Sequence, residues 1–336
     1  MTVSELAVKC LGFSGACLTY GLAETEAGFR QQLRSGDMAL KSFLLTPVLL
    51  VLTAISCLAL VRLIGGDPVM PWFGVLLAAA PLPGFVSVLM LAKPSGRTSR
   101  HLPGLLFVTA LGVALAVLSG PASGWGPAIL ASAAALAFLW YDFIYSDLGR
   151  TPSVTLRQGG PLPEFDVQNL DGAPVSSRDF LGGRTLILFY RGNWCPLCMA
   201  QVNELAARYR ALSEMGVDVV LISPQPQTQT EALALRFDVD MKFLTDPDGQ
   251  AAQSLQIAAP DGTPSGLTLF GYAKDTVLPT VIAIDAEGTI IYLDQTDNYR
   301  VRPEPDLFLE IFRGRAAASG DQPVPAPVGS LQEGSA

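Results

Sequence analysis

Long runs of uncharged, apolar residues fill much of the first 147 positions of the chain. No charged residue occurs between Lys41 and Arg62, and none occurs between Asp67 and Lys93. A helix rises about 1.5 Å per residue, so each run is long enough to cross a hydrocarbon layer of roughly 30 Å. The pattern therefore predicts helices that span a membrane.

A third uncharged run begins after His101 and is interrupted at residues 119–127 by SGPASGWGP, which divides it into two helices. Trp140 and Tyr145 near its end indicate an interfacial aromatic belt. A buried helical core in a soluble protein is the alternative, which four such runs in succession disfavour. We therefore predict a membrane domain over residues 1–147, with spans at about 43–62, 70–92, 103–120 and 126–146.

The composition changes after residue 147. Residues 148–162 (LGRTPSVTLRQGGPL) indicate a linker, residues 163–313 a soluble domain, and residues 314–336 a disordered tail with little to bury. The formal net charge is −8, and the acidic excess lies in the second half of the chain. A domain this acidic is a poor partner for nucleic acid, so we predict no nucleic-acid binding.

The soluble domain alternates between strand and helix patterns. A strand–helix–strand unit is followed by a helix, a β-hairpin and a closing helix, which predicts an α/β fold with a mixed central sheet. An additional hairpin is expected at residues 163–182. The expected strands are 184–190, 217–223, 280–285 and 289–295, and the expected helices are 196–215, 230–237 and 305–312.

The stretch FYRGNWCPLCMAQ contains Cys195 and Cys198, two of only five cysteines in the chain. A structural zinc ion needs four ligands, usually Cys and His, and the only histidine is His101 in the predicted membrane region. A zinc site or a Cys–His dyad in the soluble domain is therefore nearly excluded, and we predict neither a metal nor a cofactor. Cys57, inside the first predicted span, is expected to pack among small apolar residues.

What remains for the two cysteines is thiol chemistry. Cys195 lies where a strand meets a helix, Pro196 suits the first helical position, and Cys198 falls in the first turn. Unpaired N–H groups and the helix dipole stabilise a thiolate there and lower its pKa. The spacing predicts a redox dithiol in which Cys195 is an exposed nucleophile and Cys198 resolves the mixed disulfide. An inert structural pair is the alternative.

The motifs LPEFDVQNLDG, FYRGNWCPLC, VIAID and DNYRVRPEP resemble the thioredoxin superfamily, and within it the peroxiredoxin-like redoxins related to alkyl hydroperoxide reductase and thiol-specific antioxidant. The resemblance covers about residues 160–313 and implies a thioredoxin-fold domain following the α-helical membrane bundle. It implies that Pro279 is a cis-proline beside the dithiol. Arg300 and Arg302 match a late basic motif of the family, although salt bridges to nearby acidic residues explain them equally well.

The chain departs from the peroxiredoxin pattern Pro-x-x-x-Thr-x-x-Cys. With the final Cys at Cys198, Arg191 stands at the Pro and Cys195 at the Thr, while Pro279 stands where the resemblance implies an activating arginine. Arg191 is a candidate cation for the thiolate or, alternatively, a solvated loop charge. Trp194 is expected to cover the dithiol.

We therefore predict a membrane-anchored thiol–disulfide oxidoreductase in which Cys195 attacks a disulfide or oxidised thiol, Cys198 resolves the product and Pro279 shapes the groove. The expected partners are the lipid bilayer, a thioredoxin- or glutathione-type thiol donor, and an oxidised protein thiol or a peroxide. One alternative is a thiol-dependent peroxidase in which peroxide oxidises Cys198 and Cys195 resolves it. Another is a non-enzymatic membrane module whose redoxin domain only binds a partner.

Basic residues near the predicted spans are unevenly divided between the two sides of the membrane. Because Lys and Arg are enriched in cytoplasmic loops, we expect a multi-pass inner-membrane protein with a cytoplasmic redoxin domain. The cytoplasm is reducing, so the dithiol should rest reduced and be recharged by soluble thiol donors. The opposite loops contain only Arg62, whereas the redoxin side contains Arg30, Arg34, Lys41, Lys93, Arg97, Arg100, Arg150 and Arg157.

Overall fold

The computed structural model describes residues 16–91 and 99–317, with side chains for residues 38–91, 99–122 and 124–314. The first part of the chain is a helical bundle that ends in a π-helical turn, Trp140–Tyr145. The helices of the bundle are α1 (Ala16–Ile64), α2 (Val69–Ala79), α3 (Pro81–Leu91), α4 (Pro103–Ser123) and α5 (Gly126–Leu139).

Three helical segments within the described ranges are long and apolar enough to cross a membrane: Met38–Ile64, Pro103–Ala122 and Gly126–Tyr145. The predicted span at 70–92 differs from these. Helices α2 and α3 meet there at a bend of 47°, and they make a fourth span only if the bent pair counts as one. Pro81 begins α3 and has no N–H to continue the hydrogen-bond ladder of α2, which explains the break.

Helices α2 and α4 contact each other through small residues. A Cβ added to Gly112 would lie 2.5 Å from the carbonyl oxygen of Gly74 and 2.6 Å from the backbone nitrogen of Ala78. A Cβ added to Gly74 would lie 2.8 Å from the backbone nitrogen of Ala116. These four residues form a small-residue seam, the kind of contact through which membrane helices approach closely.

The second part of the chain is an α/β domain built on a seven-stranded mixed sheet of order β2-β1-β5-β4-β3-β8-β9. Strands β3, β4 and β5 are parallel, and the remaining pairings are antiparallel. The elements are β1 (Asp166–Gln168), β2 (Pro174–Ser176), β3 (Arg184–Phe189), α6 (Pro196–Glu214), β4 (Val217–Ser223), α7 (Gln227–Ala234), β5 (Lys242–Thr245), α8 (Gln250–Ser254), β6 (Ala258–Ala259), β7 (Thr276–Val277), β8 (Thr280–Ile284), β9 (Ile290–Asp294) and α9 (Pro305–Ala317).

Continuous apolar runs form the central strands β3 and β4 because both faces of the sheet are covered. The predicted strands, helices and mixed sheet are confirmed. Strand β5, helix α8 and the small β6–β7 ladder are additions that the sequence pattern did not predict. Helix α9 continues to Ala317, so the predicted tail at 314–336 begins inside a helix, and residues 318–336 lie outside the described part of the chain.

The predicted linker, residues 148–162, lies against the α/β domain. The Leu148 N–H donates to the carbonyl of Asp297 at 2.7 Å, and the Ile290 N–H donates to the carbonyl of Gly160 at 2.8 Å. The segment therefore lines the domain, although its Pro, Gly and Ser content is typical of a free connection.

Polar contacts join the bundle to the α/β domain. Arg300 Nη2 lies 2.7 Å from Asp142 Oδ1, and both side chains are fully buried. His101 Nδ1 lies 3.1 Å from the other oxygen of Asp142, and the hydroxyl groups of Tyr141 and Tyr299 are in contact. Without Asp142 the buried Arg300 guanidinium would lose its carboxylate partner, so the pair favours one orientation of the bundle on the domain.

Candidate active site

The two cysteines lie at the carboxyl edge of the parallel strands, where β3 ends and α6 begins. Cys195 is the N-cap of α6, and Pro196 occupies the first helical position. The Cys198 N–H donates to the Cys195 sulfur at 3.4 Å. Both side chains are buried, with exposures of 2% and 1%, so the expectation of an exposed Cys195 is wrong.

The pKa values of the two thiols shift in opposite directions. The hydrogen bond that Cys195 donates to Cys198, together with burial, raises the pKa of Cys195 well above its usual value. Burial also acts to raise the pKa of Cys198. The hydrogen bond from Cys195, the charge of Arg302, the backbone N–H of Arg191 and the Arg191 charge outweigh burial and lower the pKa of Cys198 to about 6.

The thiolate therefore forms on Cys198, the reverse of the order expected from the helix start. The two sulfurs share one proton, and ionising both would place like charges side by side in a buried site. The N–H contact to Cys195 at 3.4 Å is a long hydrogen bond. This N–H contact does not make Cys195 the thiolate, because the Cys195 S–H group donates a hydrogen bond to the Cys198 sulfur.

Arg191 is a buried cation packed against Trp194. Its guanidinium carbon lies 4.9 Å from the centroid of the Trp194 ring, and its Nη2 donates to the carbonyl of Gly262. The Thr276 hydroxyl donates to the backbone carbonyl of Arg191 at 2.9 Å. Arg191 is therefore not a solvated loop charge, and Trp194 covers this cation.

Arg302 is a second buried cation, one to which the sequence pattern gave no specific role at the thiolate. Its Nη1 donates to the carbonyl of Val301 at 2.9 Å. Its Nε and Nη2 have no hydrogen-bond partner among the residues that the structure describes. Unpaired donors on a buried guanidinium favour an anion or a polarised oxygen, because either would satisfy them.

The bundle contributes one side chain to the site, Tyr145, at the end of the π-helical turn. Its hydroxyl lies within electrostatic range of Arg191 and Cys195. Its ring centroid lies 5.5 Å from that of Tyr141 and 5.6 Å from that of Tyr299. The sequence suggested only an interfacial aromatic here, because no local pattern connects this turn with the dithiol.

Pro279 is not a cis-proline. No peptide bond within the described ranges is cis, so Leu278–Pro279 has the trans form that X–Pro bonds ordinarily prefer. Pro279 still lies at the edge of the sheet that holds the dithiol, because the next residue, Thr280, pairs with Phe189 at the end of β3. Arg150 Nη1 donates to the Pro279 carbonyl at 2.7 Å.

Other polar groups around the thiols are paired with one another. Gln225 Nε2 donates to the Tyr190 hydroxyl at 3.2 Å, and the Asn193 N–H donates to Gln225 Oε1 at 2.7 Å. Within the described ranges no three His, Cys, Asp or Glu side chains are placed to hold a metal ion. Arg302 combines buried donors that have no partner among the described residues with a charge that acts on Cys198, which makes it a candidate for contacting a substrate there.

The known proteins that are similar to this chain align with its second half. Residues 158–293 match the AhpC/TSA family. Over 161 residues the chain is 26% identical to Peroxiredoxin Bcp of Escherichia coli (strain K12), which covers 48% of this chain and 98% of the relative. Over 113 residues it is 26% identical to the chloroplastic Peroxiredoxin Q of Sedum lineare, covering 31% of this chain and 61% of the relative. The crystal structure of Enterococcus faecalis AhpC has a TM-score of 0.40 and 20% identity, covering 50% of this chain and 98% of that one.

The family match includes both cysteines, the central sheet except the last residue of β9, and only the end of the 148–162 segment, from residue 158. It includes neither Arg302 nor the helical bundle. Residues 158–293 thus form a thioredoxin-superfamily redoxin domain that is similar to the AhpC/TSA family, and the chain is a thiol-dependent oxidoreductase.

Proposed function

We propose that the protein is a membrane-anchored thiol-dependent peroxidase in which Cys198 reacts with peroxide and Cys195 resolves the product. The observation that carries the proposal is the buried pair of sulfurs at the start of α6, where the hydrogen bond from Cys195 and the charges of Arg302 and Arg191 lower the pKa of Cys198 to about 6 and favour its thiolate at neutral pH. The names of Peroxiredoxin Bcp and Peroxiredoxin Q support a peroxide substrate. This order of the two thiols reverses the one expected from the sequence.

In the first step, a sulfur–oxygen bond forms at Cys198. The thiolate attacks one oxygen of a hydroperoxide, the O–O bond breaks, and the leaving oxygen takes a proton, which gives an alcohol and a sulfenic acid on Cys198. Arg302 Nε and Nη2 are the donors for the peroxide oxygens. Their charge stabilises the negative charge that develops on the leaving oxygen.

In the second step, Cys195 resolves the sulfenic acid. Its sulfur attacks the Cys198 sulfur, a disulfide forms and water leaves. An external thiol donor then supplies two electrons and two protons to restore the dithiol. Cys195 stands where the peroxiredoxin pattern has Thr, so before it reacts its S–H supplies the hydrogen bond to Cys198.

A disulfide reductase is the second candidate, because a Cys-Pro-Leu-Cys pair at a helix start can exchange with disulfides. Exchange with a protein disulfide requires that the attacking sulfur reach the surface. Both sulfurs here belong to side chains that are at most 2% exposed. Burial therefore favours a small peroxide over a protein substrate.

We further propose that the bundle spans the inner membrane and holds the redoxin domain on the cytoplasmic side. Three apolar segments of sufficient length support the anchoring. Lys41 Nζ donates to the backbone carbonyl of Asp147 at 3.1 Å, and Arg100 Nη2 lies 3.3 Å from a carboxylate oxygen of the same residue. Basic residues before the segments Met38–Ile64 and Pro103–Ala122 thus lie at the boundary with the redoxin domain, which supports a cytoplasmic location.

Peroxide consumption by the full-length protein in lipid nanodiscs tests the chemistry. With a thiol donor present, Cys198→Ser should reduce turnover to background, because no thiolate remains. Cys195→Ser should react once and accumulate a sulfenic acid on Cys198 that dimedone traps. A Cys198→Ser protein that still reduces a model disulfide through Cys195 would establish the reductase instead.

Labelling of an introduced cysteine tests the side of the membrane. Leu235 is 88% exposed on the redoxin domain, so Leu235→Cys presents an accessible thiol. A membrane-impermeant maleimide should label it only after cells are lysed. Labelling in intact cells would place the domain outside and overturn the cytoplasmic assignment.

A further inference from the structure

The redoxin domain has an uncharged loop whose apolar side chains face outward. Residues 265–272, here called the apolar loop, include a 3₁₀ turn, Leu267–Phe270, between Gly266 at φ 94° and Gly271 at φ 85°. Both glycines have a left-handed backbone conformation that other residues rarely adopt, so the glycines at these two positions favour the turn. Leu269 is 86% exposed and Phe270 is 72% exposed.

The apolar loop is attached to the first membrane segment. The Ser265 N–H donates to the carbonyl of Ser42, the Ser265 hydroxyl donates to the carbonyl of Phe43, and the Thr46 hydroxyl donates to the carbonyl of Ser265, each at 3.2 Å. Lys41 is the last charged residue before the uncharged run of this helix. The loop therefore lies at the level where the apolar run begins.

The apolar loop is also attached to the active site. The Tyr272 hydroxyl donates to Asn193 Oδ1 at 2.5 Å. Asn193 directly precedes Trp194, which packs on Arg191 beside the dithiol. The loop thus connects the start of the membrane helix with the strand–helix junction that carries the thiols.

We propose that the apolar loop inserts into the surface of the bilayer, with Leu269 and Phe270 among the lipid chains next to Phe43. This inference rests on the proposed membrane anchoring. Lipid is the partner that the position favours, because Phe43 is itself 62% exposed and the outward apolar surface of the helix continues from it. From Ser42 to Thr46 the helix advances about 6 Å, which matches the roughly 5–10 Å to which interfacial apolar side chains penetrate.

Fluorine NMR on the full-length protein in phospholipid nanodiscs tests this placement. Trifluoromethylphenylalanine is incorporated in separate samples at position 270, at position 107 and at position 235. Phe107 is 70% exposed on helix α4 and reports on the proposed span. Leu235 follows α7 and is 88% exposed, so position 235 reports on water at the surface of the redoxin domain.

Two probes distinguish the environments: lipid with a nitroxide on its acyl chain, and a water-soluble gadolinium chelate. We expect the nitroxide lipid to abolish the signals from positions 107 and 270, and the chelate to abolish only the signal from position 235. If position 107 responds to lipid and position 270 responds to the chelate, the loop insertion is wrong and the anchoring stands. A signal at position 270 that neither probe affects would mean that protein covers the loop, which also overturns the insertion. A response of position 107 to the chelate would overturn the anchoring, and the insertion with it.

Discussion

Large apolar side chains are buried in the redoxin domain, whereas many of them are exposed in the bundle. In the redoxin domain, Leu186 and Ile187 of β3 are fully buried, whereas Leu50 and Phe107 in the bundle are 67% and 70% exposed. The domain is held together by removing large apolar side chains from water. The bundle presents such side chains to its surroundings and makes its closest described helix contact through glycine and alanine. The two regions thus differ in which side chains they bury, which agrees with the proposed membrane anchoring of the bundle.

The boundary between the two regions depends neither on buried large apolar side chains nor on close contacts between glycine and alanine. It contains the buried Arg300–Asp142 pair and the contact between the Tyr141 and Tyr299 hydroxyls, and the turn that carries Tyr145 ends at the dithiol. A polar boundary of this kind gives a defined orientation more than it gives stability. Disturbing each region separately should therefore produce effects of different size and location.

The largest expected effect is at the boundary. Arg300→Met removes the buried guanidinium from Asp142 and leaves only His101 beside the carboxylate, so we expect the free energy of unfolding to fall by about 3 kcal/mol. Chemical denaturation of the full-length protein in detergent micelles measures it. Arg208→Met is the matched control, because the Arg208–Asp306 pair at 2.8 Å is exposed and its loss should change stability little. Equal losses in the two variants would contradict a special role for the buried pair.

The next effect is on the chemistry of the redoxin domain. Arg302→Met removes the charge that lowers the pKa of Cys198 and the two unpaired donors beside it. A charge-assisted hydrogen bond contributes about 1.5–3 kcal/mol, so the rate of Cys198 oxidation by peroxide should fall about 10- to 100-fold. Rapid-mixing measurements follow that oxidation. The midpoint of the pH–rate profile should also rise, which a purely structural defect would not cause.

A smaller effect is expected inside the bundle. Gly112→Ala places a methyl group against the backbone of α2, and we expect it to destabilise the bundle by about 1–3 kcal/mol. Gly104→Ala on the same helix meets no atom within 4 Å and serves as the control. Denaturant titration in detergent measures both variants. Peroxide reduction at low denaturant should be unchanged in both, and a loss of activity in Gly112→Ala alone would show that the two regions are more tightly coupled.

The smallest effect is the response of the intact protein to pH. A group with a lowered pKa is ionised above that pKa, so the rate of Cys198 oxidation should rise through pH about 6 and level off above neutral pH. Between pH 7 and pH 8 we expect less than about a two-fold change. Stopped-flow oxidation across this range provides the profile. A midpoint near the usual thiol pKa would contradict a stabilised thiolate.

The order of strands and helices was predictable because apolar periodicity is a local property of the chain. The dithiol at the start of α6 was predictable for the same reason, since Cys195, Pro196 and Cys198 carry the motif themselves. Strand β5 was missed because KFLT is short and follows a polar segment. The break at Pro81 was missed because the apolar run continues through it, so hydropathy alone does not reveal a bend.

The order of the two thiols depends on contacts that only the fold creates. Arg302 reaches the dithiol from a segment that follows the last strand, and Tyr145 reaches it from the bundle. A helix-start argument treats Cys195 by itself, whereas the shared proton and two buried cations determine which sulfur ionises. For Pro279, the resemblance implied a cis peptide bond beside the dithiol. The residue lies at that end of the sheet, but its peptide bond is trans.

The Arg300–Asp142 pair also sets an order of events during synthesis. Its two residues are 158 positions apart in the chain, and Asp142 is made first. At about 5–20 residues per second, the ribosome needs roughly 8–30 s to add the residues that separate them. During that interval His101, already made, is the partner available to the carboxylate. All the described residues of the bundle are therefore synthesised before Arg300, and the ion pair that orients the redoxin domain on the bundle forms only after Arg300 is made.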